Sequence, residues 1–227
     1  MKNLPALLFL CVLILTSCKT DTKTSIEESK QFDYTSYLLS HNDSVPTLEI
    51  EFDQPDSLFF EELNKKILPN GCETFKDFNL KIDSLTIGAR LNQPCGIPMF
   101  CGVRMNVQIL INQENIIFID SENLEDFSNI ELKTNEIIRD NSNLYSYKNK
   151  TGIIIIRDKK ADPILSKLIL ASFVNSYTRY MDSLSVNNYS KHLEELNLKE
   201  LDNLKKERTL VLDYWNYPEP SLPKLKY

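Results

Sequence analysis

The side chains able to do chemistry here are five cysteines, two histidines and 32 carboxylates. Glycine, which builds phosphate-cradling loops, is scarce at five residues, and no Gly-Lys-Ser/Thr or GxGxxG run is present. Cys95 and Cys101 bracket Pro94-Cys95-Gly96-Ile97-Pro98-Met99-Phe100-Cys101-Gly102, a tight Pro/Gly loop. A Cys95–Cys101 disulfide closing that loop is the expected pairing. Cys72 bonded to either of them is the competing arrangement, and spacing does not choose between the two. Neither a zinc site nor a dithiol redox site fits: the spacing is not CxxC, and only His41 and His192 are available as imidazole ligands. No metal or other cofactor is expected. Acyl transfer needs a nucleophile, a base and a group that orients the base. His41 falls in or beside a polar stretch, where it reads as a solvated residue. His192 follows Tyr189-Ser190-Lys191 on a charged segment, where a helix-start or surface role is expected. Glu114 with Asp120, or Glu194 with Glu195, are the pairs any charged surface supplies. Carboxylates alone leave a glycosidase open, because their separation is set by the fold. No catalytic residue is assigned, and the chain is not expected to be an enzyme.

The remaining reactive cysteine lies near the start. Met1-Lys2-Asn3 is followed by Leu4 to Ile14 without a charge, which is the basic and apolar pattern of a secretory signal. This run closes on Leu15-Thr16-Ser17-Cys18, which resembles the lipobox of bacterial lipoprotein precursors. The resemblance implies lipidation of the Cys18 thiol and cleavage before it, so that residues 1–17 are a signal and the mature chain begins at Cys18. The apolar stretch is also short for a membrane span, which needs ~20 helical residues. Acyl chains hold firmly, because each buried methylene contributes ~0.8 kcal/mol. Lys19 is not the Asp that resembles an inner-membrane retention signal, which favours the outer membrane facing the periplasm.

Of the 26 basic residues only Lys2 leaves with the signal, so 25 basic face 32 acidic and the formal charge moves from -6 to -7. Such a surface argues against nucleic acid, whose phosphates are neutralised by Lys and Arg. Of the cysteines, Cys11 leaves with the signal and Cys18 is lipidated. In an oxidising envelope one pair among Cys72, Cys95 and Cys101 can then bond, and one thiol is left over.

Residues 18–46 read as a flexible tether, rich in Thr, Ser, Lys, Asp and Glu to about Ser40. Residues 47–103 follow as an α+β segment carrying the Cys loop. Leu48-Glu49-Ile50-Glu51-Phe52 alternates as a half-buried strand does, and Leu58, Phe59, Leu63 and Ile67 recur at helical spacing. Leu80-Lys81-Ile82 and Leu85-Thr86-Ile87 are strand pieces. Across residues 104–216, Val107, Ile109 and Ile111 alternate with Gln108 and Leu110. The polar turn Asn112 to Asn115 then returns the chain through Ile116 to Ile119, so a β-hairpin is expected. Leu124 to Ile138 carries a weak helical signal through Leu124, Phe127, Ile130, Leu132 and Ile137. Ile153 to Ile156 is a β-branched run suited to the centre of a sheet. Asp162-Pro163 opens a helix to about Ser185, with Leu165, Ile169, Phe173, Tyr177 and Met181 as its apolar stripe. A second helical stretch spans His192 to Glu207, and Thr209 to Tyr214 is a last strand. Residues 217–227 form a proline-broken tail.

In order and spacing, Arg104 to about Pro220 resembles the periplasmic domain of the ExbD/TolR family, the small partner in proton-driven energy transducers of double-membrane bacteria. The match runs through Val107-Gln108-Ile109-Leu110-Ile111-Asn112, Ile116-Ile117-Phe118, Ile153-Ile154-Ile155-Ile156-Arg157-Asp158, Tyr177-Thr178-Arg179, Tyr189-Ser190-Lys191 and Pro218-Glu219-Pro220. About half the chain is covered. The resemblance implies an α+β fold with a small mixed or antiparallel sheet packed against helices, and a place accessory to such a transducer. It departs from the family where function is concerned: Met1 to Ser17 holds no Asp or Glu, so the membrane-buried carboxylate of proton coupling is missing.

Two classes of function follow. The first is a lipid-anchored, non-catalytic binding or assembly module with an envelope protein or cell-wall partner; the second is an envelope hydrolase with unassigned carboxylates. For the first, strand addition is one mode, since unpaired strand edges template incoming peptides; the sequence does not say which strand lies at the edge, and the terminal strand Thr209 to Tyr214 is the candidate because a chain-end strand is the easiest to displace.

Overall fold

The computed structural model describes residues 33–41, 44–49, 56–67, 75–92, 106–120, 122–124, 126–140, 149–158 and 160–215. The signal, Cys18, Cys72, the Cys95–Cys101 loop and the tail 217–227 lie outside them. Among the described residues no helix is long and apolar enough to cross a membrane.

The chain is α+β. Its strands are β1 (Thr47–Glu49), β2 (Phe75–Ile82), β3 (Leu85–Asn92), β4 (Asn106–Ile111), β5 (Ile117–Ile119), β6 (Glu122–Leu124), β7 (Lys150–Arg157) and β8 (Thr209–Trp215). The helices are α1 (Tyr34–Leu39), α2 (Asp56–Ile67), α3 (Ile130–Arg139), α4 (Pro163–Tyr189) and α5 (Leu198–Glu207). All eight strands form one mixed sheet in the order β1-β2-β3-β8-β7-β4-β5-β6.

Antiparallel pieces arise where turn chemistry is local. Asp83 takes φ 53° between β2 and β3, the left-handed conformation that a tight hairpin needs. Between β4 and β5, Asn112 Oδ1 accepts from the backbone N–H groups of Glu114 and Ile116 at 3.1 and 2.8 Å, while Asn115 turns left-handed at φ 65°. The parallel neighbours β7 and β8 need a crossover, which α4 and α5 supply. Asp162 caps α4 by accepting from Ile164 N at 2.9 Å, with Pro163 in the first turn, and Ser190 ends it in the left-handed region at φ 56°. The helix therefore runs one turn beyond the expected Ser185.

Register assigns the two faces. Phe78, Leu80, Ile87, Ala89, Leu212, Ile153, Val107, Ile109 and Ile111 share one face, and each is essentially inaccessible. They form one core with Ile169, Phe173, Tyr177 and Met181 of α4 and Leu201 and Leu204 of α5. The stripe read on α4 is thus core packing, as its 3.6-residue spacing requires. On the other face, Ile154 and Val211 are buried but belong to a separate environment from that core.

Four expectations are corrected. The tether does not extend to residue 46: α1 lies inside that stretch, with Leu38 and Leu39 each 1% exposed in the core. Two apolar residues in sequence are a weak periodic signal, yet their burial repays the ordering of one short helix. The boundary at 103/104 does not divide the structure, because Asp33–Tyr227 is one compact unit and β8 pairs with β3 on one side and β7 on the other. The helix read from Leu124 begins only at Ile130: Glu122–Leu124 is a strand and Phe127–Asn129 a 3-10 turn, and Leu132 is 72% exposed. Lastly, Thr209–Trp215 is interior to the sheet, parallel to both neighbours, so among the described strands the edges are β1 and β6.

Candidate functional site

Alternation that buries one face of β2, β3, β8, β7 and β4 sends Asp77, Arg90, Asp213, Lys150 and Asn106 to the other. Cross-strand register brings them into a strip: Asp77 opposes Arg90, and Arg90 opposes Asp213. Gly152, which follows Lys150 by two positions on β7, opposes Asn106. The Arg90 Nε donates to Asp77 Oδ1 at 2.8 Å. Burial works to raise the Asp77 pKa, but the hydrogen bond and charge of Arg90 outweigh it and hold the carboxyl below its usual range. Asp213 is 8% exposed and is itself engaged in an interaction.

Two glycines let these polar groups lie flat on the sheet. A β-carbon on Gly152 would stand 2.0 Å from Asn106 Oδ1 and 2.5 Å from Asp213 Oδ2, so the amide and the carboxylate close over the bare backbone. On Gly88 it would stand 3.0 Å from the His41 Nε2 and 3.1 Å from the Leu39 carbonyl oxygen.

His41 is therefore packed on the outer face and is not the solvated residue its sequence context suggests. Its backbone N–H donates to Asn79 Oδ1 at 2.7 Å, and its Nε2 lies 3.1 Å from the Ala89 carbonyl oxygen. Because a carbonyl only accepts, that contact assigns the proton to Nε2 and leaves the lone pair on Nδ1. Burial lowers the His41 pKa, with Arg90 and Lys150 adding to the effect and Asp77 and the Ala89 bond opposing it. At neutral pH the ring is uncharged, and the strip balances two carboxylates against Arg90 and Lys150. Neither hydrogen-bond partner of His41, the Asn79 amide on its backbone N–H nor the Ala89 carbonyl on its ring, is a nucleophile. No sequence signal marked the strip, since its members are spread over 136 positions, from Asp77 to Asp213. Only the register collects them.

The other sequence candidates stay apart from it. His192 is solvent-facing, with its Nδ1 3.0 Å from Asp182 Oδ2, and its backbone N–H donates to Glu195 Oε2 at 2.8 Å, which is the helix-start role expected of it. The hydrogen bond that His192 donates to Asp182, and then the charge of that carboxylate, raise the His192 pKa. Glu114 belongs to the β4–β5 turn, and Asp120 Oδ1 accepts from Gln108 N at 3.0 Å, so each has a local structural partner. The lipidation residue Cys18 and the disulfide candidates Cys95 and Cys101 lie outside the described residues. A separate open depression of about 500 Å³ lies where Leu132, Asn135, Glu136 and Arg139 of α3 meet Arg179 of α4. There the Arg179 guanidinium pairs with Glu131 at 2.5 Å. Among the described residues no cluster of His, Cys, Asp or Glu is arranged to hold a metal ion.

Compared with protein-family models, with curated proteins and with solved structures, the chain gives no match.

Proposed function

We propose that this chain is an envelope lipoprotein, held to a membrane through lipid on Cys18, whose folded unit is a binding or assembly module and does no chemistry. The observation that carries this reading is Leu15-Thr16-Ser17-Cys18 at the end of the uncharged run Leu4 to Ile14. The fold agrees with a binding role. The acidic and basic members of the outer strip are paired or balanced, and the partners of His41 are structural, whereas a hydrolytic centre needs an activated nucleophile or a pair of acids with divergent pKa values. The order hairpin, helix, strand, helix, on which the likeness to ExbD/TolR periplasmic domains rests, runs through β4, β5, α3, β7 and α4, with β6 added after the hairpin and α5 before β8. It supports a place beside such a transducer without the proton-carrying span.

Metabolic labelling with a fatty acid tests the reading: wild type incorporates label, while Cys18→Ser does not and accumulates as precursor. Label retained by Cys18→Ser rejects it. The same preparation, thiol-blocked and weighed intact with and without reductant, tests the Cys95–Cys101 bond proposed for the Pro/Gly loop. Three blocked thiols without reductant reject any disulfide.

A further inference from the structure

The ladder between β3 and β8 is incomplete. Only Ala89–Asn92 pairs with β8, through Leu212–Trp215, whereas β3 pairs with β2 along its whole length from Leu85. The first half of β8, Thr209 to Leu212, pairs with Lys150 to Ile153 of β7 on its other edge. The sheet is thus split between Leu85–Gly88 and Thr209–Val211, and α1 lies against β3, β8 and α5 at that split. Leu38 and Leu39 enter the main core. Thr86, which has no partner on β8, donates its backbone N–H to Ser36 Oγ at 3.0 Å. On α5, the Tyr37 hydroxyl donates to Asp202 Oδ1 at 2.6 Å, and Lys205 Nζ donates to the Tyr37 carbonyl at 2.6 Å. Beyond the helix, His41 sits on the opposite face of the sheet over Gly88. The chain therefore passes from the core side through the split, and His41 closes it from the outside.

We propose that α1 is a releasable clasp where the N-terminal chain joins the fold, with His41 as its pH-sensitive catch. It is held by the two buried leucines and by a few single polar contacts, and a six-residue helix has little stability of its own. Segments of this kind open at a lower free energy than the strands they cover. Release of residues 34–46 would add about 45 Å of reach when fully extended. That gain serves the tethered module proposed above and rests on the Cys18 anchor; the clasp itself does not. The catch weakens as pH falls. His41 is held neutral when docked, by burial and by Arg90 of β3 and Lys150 of β7 against Asp77 of β2. The released state therefore binds a proton more readily, and docking is fully stabilised above the ordinary value of 6.5 and loses ground below it.

Hydrogen exchange of the full chain tests this on the wild-type protein. After correction for intrinsic rates, the α1 amides and Thr86 N–H are expected to open together, at least about tenfold more often than the Ile153 and Ile154 amides of β7. From pH 7.5 to 5.5 their opening should rise by up to about tenfold, and His41→Gln should abolish that rise. Equal protection of α1 and β7 overturns the clasp. Separate opening with no pH dependence overturns the catch. Both outcomes are independent of Cys18 labelling, so failure of the clasp and failure of the lipoprotein reading are distinguishable.

Discussion

The Tyr177 hydroxyl donates to the Arg208 carbonyl oxygen at 2.8 Å, tying the middle of α4 to the residue that leads into β8. Burial raises the Tyr177 pKa well above the ordinary phenol value, so the group remains a donor throughout the physiological range. Arg208 is 4% exposed, and its Nη2 donates to the carbonyls of Ile138 and Asp140 at 2.7 Å each. These acceptors lie at the C-terminus of α3, where a cation also meets the negative end of the helix dipole. Its guanidinium carbon lies 5.9 Å from the centre of the Tyr180 ring. One residue thus joins α3, α4 and β8.

Tyr177→Phe leaves the Arg208 carbonyl without its side-chain donor while keeping the ring packed. It should cost about 1–2 kcal/mol in urea unfolding. Arg208→Met keeps that bond but strands two α3 carbonyls, and should cost more, about 2–4 kcal/mol. If the Met variant is no less stable than the Phe variant, Arg208 is not the junction described.

Gly152 is required by its neighbours, since Asn106 and Asp213 occupy the space of a β-carbon. Gly152→Ala should lower stability by about 1–3 kcal/mol, as overpacking does. Asn106→Ala in the same chain removes the nearer atom and should recover part of the loss. A double variant no more stable than Gly152→Ala would show that Asp213 or the backbone, and not the Asn106 amide, sets the limit.

Asp182 Oδ1 accepts from Leu193 N at 3.0 Å while its other oxygen meets His192, so it holds both the turn after α4 and the imidazole. Asp182→Asn should bring the His192 pKa back toward 6.5 in an NMR titration. Because the folded value is raised, the stabilisation is fully present below 6.5 and is lost as pH rises through the folded pKa. The wild type should therefore show a loss on that limb that Asp182→Asn lacks. An unmoved His192 titration would mean the pair is not formed in solution.

The outer strip changes how a partner should be sought. Strand addition at Thr209 to Tyr214 is not available, because β8 lies between β7 and β3, and α1 lies against the part of its first half that β3 leaves open. A proline at Val211 would remove a donor inside the sheet and disrupt the fold itself. The described edges are instead β1 and β6, each three residues long.

The sequence by itself determined every element whose physical cause is local. Asp162-Pro163 fixed the start of α4, the alternation of Val107, Ile109 and Ile111 fixed the buried face of β4, Asn112 to Asn115 fixed a hairpin, and Ile153 to Ile156 fixed a central strand. The signal-like residues before Cys18 are equally local, being a pattern of charge and length. Strand order, and with it the polar strip, was decided only by tertiary structure. Whether Thr209–Trp215 lies at an edge or between β3 and β7 depends on which strands it meets across the fold, and its own residues suit either place. Asp77, Arg90 and Asp213 acquire each other through register, and the position of His41 comes from Leu38 and Leu39 burying in a gap that β3 and β8 leave open. Such contacts join residues far apart in the chain, and Tyr34, Tyr37 and Leu38 behind Asp33 leave only a one-turn helical trace that says nothing of where the helix docks.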